Sequence, residues 1–298
     1  MTRFAHQSVL FEETLELLAP RSGGRYCDCT LGGGGHTEGL LERSAPDGVV
    51  VGLDRDPSAL EAARGRLAAH GDRLRLVHAP FSEVATRIAE LGVGPLDGIL
   101  ADLGVSSPQL DVAARGFSFR GEGPLDMRMD PTRGETAREL CARLTEDELA
   151  AVIRNYGEER FAGRVARAIK KDLDEDKLHT TTELAAMLGR VIPQARGSRA
   201  HGRIDPATRT FQALRIAVND ELDELDTFLS TAPALLAPGG RIVVIAFHSL
   251  EDRMVKHAFR ADARVRPVTK RPVEAGPVEL ERNPRSRSAK LRAAERVQ

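Results

Sequence analysis

Cys27-Asp28-Cys29-Thr30-Leu31-Gly32-Gly33-Gly34-Gly35-His36 is the stretch on which the fold turns. A short run from Tyr26 to Thr30 breaks into four consecutive glycines, and a helical pattern follows from about His36 to Arg43. Consecutive glycines carry a large entropic cost on folding, so a chain keeps them where a Cβ would be in the way, most simply where a ligand lies against the backbone. The helix that follows aims unpaired N–H groups and the positive end of its dipole back at the loop. The stretch predicts a strand, a glycine loop and a helix that hold a nucleotide-like cofactor at the first strand–helix turn of an α/β sheet.

The sequence downstream repeats the pattern. Pro46-Asp47-Gly48 is a turn, and Val49-Val50-Val51-Gly52-Leu53 is a continuous apolar run of the kind found in strands buried on both faces. That run ends at Asp54, after which Asp56 as N-cap and Pro57 as first helical residue start a helix to about His70. Leu74 to Ala79 reads as a third strand, Phe81 to Leu91 as a helix, and Leu96 to Leu103 as a fourth strand with Asp102 near its end. Upstream, Val9 to Leu18 has the spacing of a short amphipathic helix. Strand–helix alternation of this kind predicts a parallel, doubly wound sheet.

After residue 105 the alternation stops. A stretch punctuated by Gly and Pro (Val105 to Arg133) precedes helical patterns at Thr145–Arg154, Glu159–Leu173 and Thr182–Ile192, with no strand signal. Thr210 to Leu229 reads as one long helix, Pro238-Gly239-Gly240 as a turn, Arg241 to Phe247 as a fifth strand, and His248 onward as a helix start. The basic stretch Asn283 to Arg292 is expected to finish as an edge strand. The organisation predicted is a core of residues 1–105 and 210–298, with 106–209 as an inserted helical, substrate-recognition domain.

With 29% charged and 41% apolar residues over 298 positions, a folded core is expected. No apolar run approaches the ~18 residues of a membrane span, and the first residues lack the apolar centre of a signal peptide. Three cysteines give no disulfide framework, and Cys27 and Cys29 read as small buried apolar residues. These features predict a cytoplasmic protein with no membrane partner and no metal site. The net charge of −1 conceals an asymmetry. Residues 190–215 carry six arginines against Asp205 alone, and residues 264–298 carry ten Lys/Arg against four Glu. Two basic segments on an otherwise acidic chain predict a polyanion-binding surface; its candidates are Arg199, Arg203, Arg209, Arg285 and Arg287.

The identity of the cofactor narrows by elimination. The Gly-x-Gly-x-x-Gly/Ala fingerprint fits none of the registers starting at Gly32, Gly33 or Gly34, and no Gly-Lys-Ser/Thr follows the loop. S-adenosylmethionine, which has no pyrophosphate, fits better. Asp54 lies 19 residues after Gly35 at a strand tip, where a carboxylate accepts ribose hydroxyls. Phe81 opens the turn after the third strand, where a ring can cover an adenine. Asp102-Leu103-Gly104-Val105-Ser106-Ser107-Pro108-Gln109 follows the fourth strand, at the rim where chemistry sits in open α/β sheets. Acceptors there suit methylation of an exocyclic amine, whose lone pair is delocalised and must be turned toward the methyl donor while a proton leaves. Asp102, Ser106 and His248 are the candidate catalytic residues.

The chain resembles the bacterial 16S ribosomal RNA cytosine-N4 methyltransferases. The resemblance rests on stretches in order along the whole chain, among them His6–Leu10, Asp28–His36, Asp54–Pro57, Asp102–Asp111, Arg115–Phe119, Pro124–Asp130, Tyr156–Phe161, Pro206–Ala213, Phe247–Arg253 and Arg287–Arg292. It implies a Rossmann-like class I S-adenosylmethionine methyltransferase core with an inserted helical domain. It also implies methylation of N4 of a cytidine in the decoding (P-site) region of small-subunit RNA, and it admits a homodimer. By analogy the cofactor is held by Gly34, Gly35, His36, Asp54, Phe81, Asp102 and Gln109. The family usually has His where Asp205 stands here. Two other readings were weighed. A DNA amino-methyltransferase would carry two prolines and an aromatic in the loop after the fourth strand, which this chain lacks. A non-catalytic RNA-binding assembly factor would have no need of an intact cofactor loop.

Overall fold

A computed structural model describes residues 8–193 and 205–297. They fall into two compact units: Val105–Glu221 is one, and the chain before and after it, to Gly104 and from Leu222, is the other. In chain order the elements are α1 (Phe11–Leu18), β1 (Arg25–Asp28), α2 (Gly35–Arg43), β2 (Val49–Asp54), α3 (Pro57–Arg66), β3 (Leu74–His78), α4 (Val84–Leu91) and β4 (Leu96–Asp102). Then come α5 (Ser107–Asp111), α6 (Ala137–Arg143), α7 (Glu146–Gly157), α8 (Ala162–Asp174), α9 (Thr181–Val191) and α10 (Pro206–Val218). The chain ends with α11 (Glu221–Thr231), β5 (Leu236–Ala246), α12 (Ser249–Ala261), β6 (Val265–Pro267), α13 (Pro277–Arg282) and β7 (Lys290–Arg296).

The first unit is a seven-stranded sheet in the order β3-β2-β1-β4-β5-β7-β6, a Rossmann-like arrangement in which β7 alone runs antiparallel to its neighbours. Both faces are covered, and the side chains alternate as a pleated strand requires. Cys27, Val51, Leu53, Ile99, Ala101, Ile242 and Val244 join one core with Val84, Ile88, Phe228 and Phe259. Tyr26, Val50, Leu100, Val243 and Ile245 join the other with Leu15, Leu40, Leu41 and Leu60. The apolar run at Val49–Leu53 is thus split residue by residue between two cores. Asp56 caps α3 as expected, accepting the Ser58 N–H at 3.0 Å, with Pro57 at the first helical position.

Three expectations need correction. The basic C-terminal stretch does form a strand, but β7 sits inside the sheet between β5 and β6. The edge is β6, three residues from the Pro-rich segment after Asp262. The turn expected at Pro238-Gly239-Gly240 lies within β5: between the pairs Leu96–Leu236 and Gly98–Arg241, β4 advances two residues and β5 five, so the turn residues bulge out of the ladder. The long helix expected from Thr210 to Leu229 is two helices, broken where Asp220 takes a φ of 51°. The return to the sheet unit accordingly comes at Leu222 and not at residue 210.

The second unit is helical, around a core that includes Leu149, Ile153, Val165, Ile169, Leu188, Phe211 and Leu214. Thr136, Thr145 and Thr180 each open a helix by accepting the N–H three residues on, while Glu139, Glu148 and Glu183 reach back to the cap, a reciprocal device that satisfies two otherwise orphaned donors. Asn219 closes the unit by accepting the Met129 N–H at 2.7 Å and donating to the Met127 and Arg215 carbonyls. No described helix is long and apolar enough to cross a membrane.

Candidate functional site

Three neighbouring strands of the sheet end in acids: β1 in Asp28, β2 in Asp54 and β4 in Asp102. The glycine loop is hung on this edge. Cys29 N–H donates to the Leu100 carbonyl (2.8 Å) and Leu31 N–H to the Leu53 carbonyl (2.9 Å), so the loop leaves β1 still laddered to both neighbours. It then tightens, with Gly34 N–H on the Leu31 carbonyl at 2.8 Å.

The glycines have separate reasons. Gly32 and Gly34 take φ of +51° and +78°, which favour glycine. A Cβ on Gly34 would stand 2.9 Å from Leu67 Cδ1, and one on Gly35 2.1 Å from Ser8 Oγ. A Cβ on Gly33 would meet nothing within 4 Å. The expectation that a ligand explains the run is thereby narrowed: backbone conformation and internal packing already demand Gly32, Gly34 and Gly35.

Asp54 is a clamp on this loop. One of its oxygens accepts the Gly32 N–H and the other the Asp56 N–H, both at 2.8 Å. Burial pushes its carboxyl up to about 6, against the lowering effect of those two hydrogen bonds. Asp28, fully buried, accepts from the Thr37 hydroxyl (2.7 Å) and the Thr30 N–H (3.2 Å), tying β1 to α2; burial pushes it up to about 6 as well. Thr30 in turn accepts the Asp102 N–H at 2.6 Å. Asp102 is held well above the usual carboxylate range by burial first and by the nearby Asp28 and Glu251 carboxylates second. One of its oxygens, Oδ1, is buried without a hydrogen-bond partner among the described residues.

His36 is buried in the first turn of α2, its ring stacked on Phe11 with centroids 6.0 Å apart. Its Nε2 lies 3.1 Å from the Val9 carbonyl, which can only accept, so Nε2 carries the proton and Nδ1 faces the other way, 3.8 Å from Asp102 Oδ2. His36 and Asp102 are therefore brought together, 66 residues apart in sequence. An acidic edge with a buried, unpaired carboxylate oxygen suits a ligand that carries N–H or O–H donors and positive charge. The ammonium and sulfonium of S-adenosylmethionine have that character, and the remaining lone pairs of Asp54 suit a diol.

The other predicted residues are placed as follows. Phe81 is partly buried and packs edge-on against Phe228, with centroids 5.6 Å apart, on the rim of one sheet core. Ser106 and Gln109 cap α5 reciprocally: Gln109 Oε1 accepts the Ser106 N–H at 2.9 Å and Ser106 Oγ accepts the Gln109 N–H at 3.4 Å. His248 is the N-cap of α12, its Nδ1 accepting the Glu251 N–H at 3.4 Å while Glu251 takes the Phe247 and His248 N–H groups. That arrangement gives its ring a local structural task and leaves the expected catalytic part of His248 to be tested by substitution. Arg209 is exposed and donates to the Glu158 carbonyl at 3.4 Å; Arg285 and Arg287 are exposed beside β7. Arg199 and Arg203 lie outside the described residues. Sequence reasoning assigned no role to Asp28, Thr30 or Thr37. For Asp28 and Thr30 the signal was present in the quoted stretch, as polar residues at the end of an apolar strand; Thr37 lies one residue past it, in α2.

The sequence model of the MraW methylase family matches residues 3–297 of this chain. A ribosomal RNA small subunit methyltransferase H of Sorangium cellulosum is 57% identical over 292 residues, covering 98% of this chain and 91% of that one. Proteins of the same name from Pelobacter propionicus and Synechococcus elongatus are each 52% identical, the first over 100% of both chains and the second over 99% of this chain and 95% of its own.

Proposed function

The chain belongs to the MraW methylase family, and on that premise we propose that it methylates the exocyclic N4 of a cytidine in the decoding region of small-subunit ribosomal RNA. It is a methyltransferase that uses S-adenosylmethionine, and its relatives are named for action on ribosomal RNA. The observation that carries the finer reading is Asp102, a carboxylate at the end of β4 with a raised pKa and one buried oxygen open to a donor.

When bound, S-adenosylmethionine supplies an electrophilic methyl group. Asp54 would hold its ribose hydroxyls, Phe81 would lie against its adenine, and Gly34, Gly35, His36 and Gln109 would complete its surroundings. Asp102 has the reacting role. Its open oxygen accepts an N–H of the target amine and turns the nitrogen lone pair away from the ring system, and its raised basicity suits it to take the proton the amine gives up. Ser106, four residues along the chain, is the second polar group assigned to the amine. On this reading the enzyme works in the cytoplasm on the small ribosomal subunit.

The test is transfer of labelled methyl from S-adenosylmethionine to small-subunit RNA, free and in immature subunits, with mass spectrometry of the modified nucleoside. N4-methylcytidine is expected. Label on another nucleoside, or on DNA alone, overturns the assignment.

A further inference from the structure

The helix α12 leaves the carboxyl end of β5, whose Ile245 is paired with Asp102. Its inward side is apolar: Val255 and Phe259 are buried in the sheet core, with Met254 and Ala258 packed beside them. Arg253, Lys256, His257 and Arg260 recur at helical spacing and, at about 100° per residue, fall within about 100° of arc on the opposite side. Arg253, His257 and Arg260 are exposed and Lys256 is half-buried. The stripe spans eight residues, seven steps or about 10 Å along the helix.

The helix has two acids, and both are engaged away from the stripe. Glu251 is buried in the N-terminal cap, and Asp252 accepts the Nε and Nη2 donors of Arg292, at 2.6 and 3.1 Å. Lys256 and Arg260 make no ion pair or hydrogen bond among the described residues. A rigid helix face that gathers cations and excludes carboxylates, on a chain of net charge −1, is complementary to a row of phosphates.

We propose that this outer face of α12 is a phosphate-contact surface for the RNA substrate, positioning the strand whose base enters at the carboxyl edge of the sheet. The proposal deepens the ribosomal RNA reading and rests on it. Phosphate contacts of this kind set register and affinity without reading sequence. They also release counterions, which gives them a salt signature.

The test compares K256A/R260A with the wild type and with R21A/R64A, a control that removes the same number of charges from exposed arginines elsewhere in the same unit. Binding to small-subunit RNA and to immature subunits is measured across a salt series, alongside methyl-transfer kinetics and calorimetric cofactor binding. The double variant is expected to raise the Kd and KM for RNA about tenfold. It is also expected to flatten the slope of log K against log salt by about 1.4 on single-stranded and about 1.8 on duplex contacts. Its kcat and cofactor affinity stay at the wild-type level, and the control variant changes RNA binding by less than a third as much. A wild type that methylates ribosomal RNA, with a K256A/R260A variant equal to it in KM and salt slope, overturns this proposal and leaves the substrate reading standing. A wild type that transfers no methyl group to ribosomal RNA overturns both.

Discussion

Cofactor affinity should fall as the solution is acidified through pH 6, and Asp54 sets the size of the effect. Its carboxyl is pushed up to about 6 by burial, whereas an unfolded chain holds an aspartate near 4. Acceptance of a ribose diol on both oxygens requires the ionised form. If the complex holds Asp54 ionised throughout, the apparent Kd scales as one plus the ratio of protonated to ionised Asp54 in the free protein. That factor is about 1 at pH 8 and about 11 at pH 5, a loss of about 1.4 kcal/mol. The protein itself should survive the change. Asp28 and Asp54 both have raised values in the folded state, so between about pH 4 and 6 the native chain binds more protons than the unfolded one. Their contribution to stability therefore grows as pH falls through about 6 toward 4. The assay is calorimetric titration of S-adenosylmethionine at pH 5, 6, 7 and 8, for wild type and Asp54→Asn. The wild type should show the step near pH 6, and the variant should bind weakly with that step gone. A wild-type Kd that is flat from pH 8 to 5 refutes the reasoning, as does an Asp54→Asn protein that keeps the step.

Two further predictions concern the loop and one the start of α12. Gly34→Ala should lower stability by about 1–2 kcal/mol, because it places a Cβ at φ +78° and 2.9 Å from Leu67 Cδ1; Gly33→Ala should stay within about 0.5 kcal/mol, and equal denaturation midpoints for the two would contradict this account. Thr30→Val removes the acceptor of the Asp102 N–H, which should cost about 1–3 kcal/mol and slow methyl transfer more than it weakens cofactor binding; a drop in melting temperature with unchanged kcat would show that the tie does not position Asp102. His248→Asn keeps a side chain able to cap α12, so melting temperature and kcat should remain within a few-fold of wild type, while His248→Ala should lose about 1 kcal/mol. A large loss of kcat in His248→Asn with the fold intact would return His248 to the catalytic machinery.

The parallel half of the sheet was legible chiefly at Val49–Leu53 and Ile99–Ala101, apolar runs whose burial on both faces leaves them no other state. The antiparallel end was less so. Three residues, Val265–Pro267, are too short for a periodicity, and only pairing with β7 makes them a strand. The basic composition of β7 suggested an exposed edge. In the fold its cations are tied down, Arg292 by Asp252 and Arg296 by the Pro233 carbonyl, and its alanines and Leu291 fill the cores. The break between α10 and α11 was hidden for a similar reason. Nothing local forbids a helix through Asn219-Asp220; the tertiary hydrogen bonds of Asn219 to Met127 and Met129 stop it.

At the candidate site, sequence spacing named residues but could not apportion their tasks. Asp54 was identified from its distance after the glycines, yet its first occupation is holding Gly32 and Asp56, and it can serve a diol only with the lone pairs left over. Ser106 and Gln109 were identified as acceptors, and they accept from each other. Asp102 differs from them: its backbone N–H is fixed by Thr30 while Oδ1 of its side chain is matched to nothing among the described residues. A buried oxygen in that condition, near the Asp28 and Glu251 carboxylates, destabilises the fold unless a donor meets it. Asn at the same position would relieve the charge and keep the shape. Asp102→Asn should therefore melt no lower than wild type while losing methyl transfer by about 100-fold or more, and a variant that gained stability yet kept its activity would remove Asp102 from the reaction.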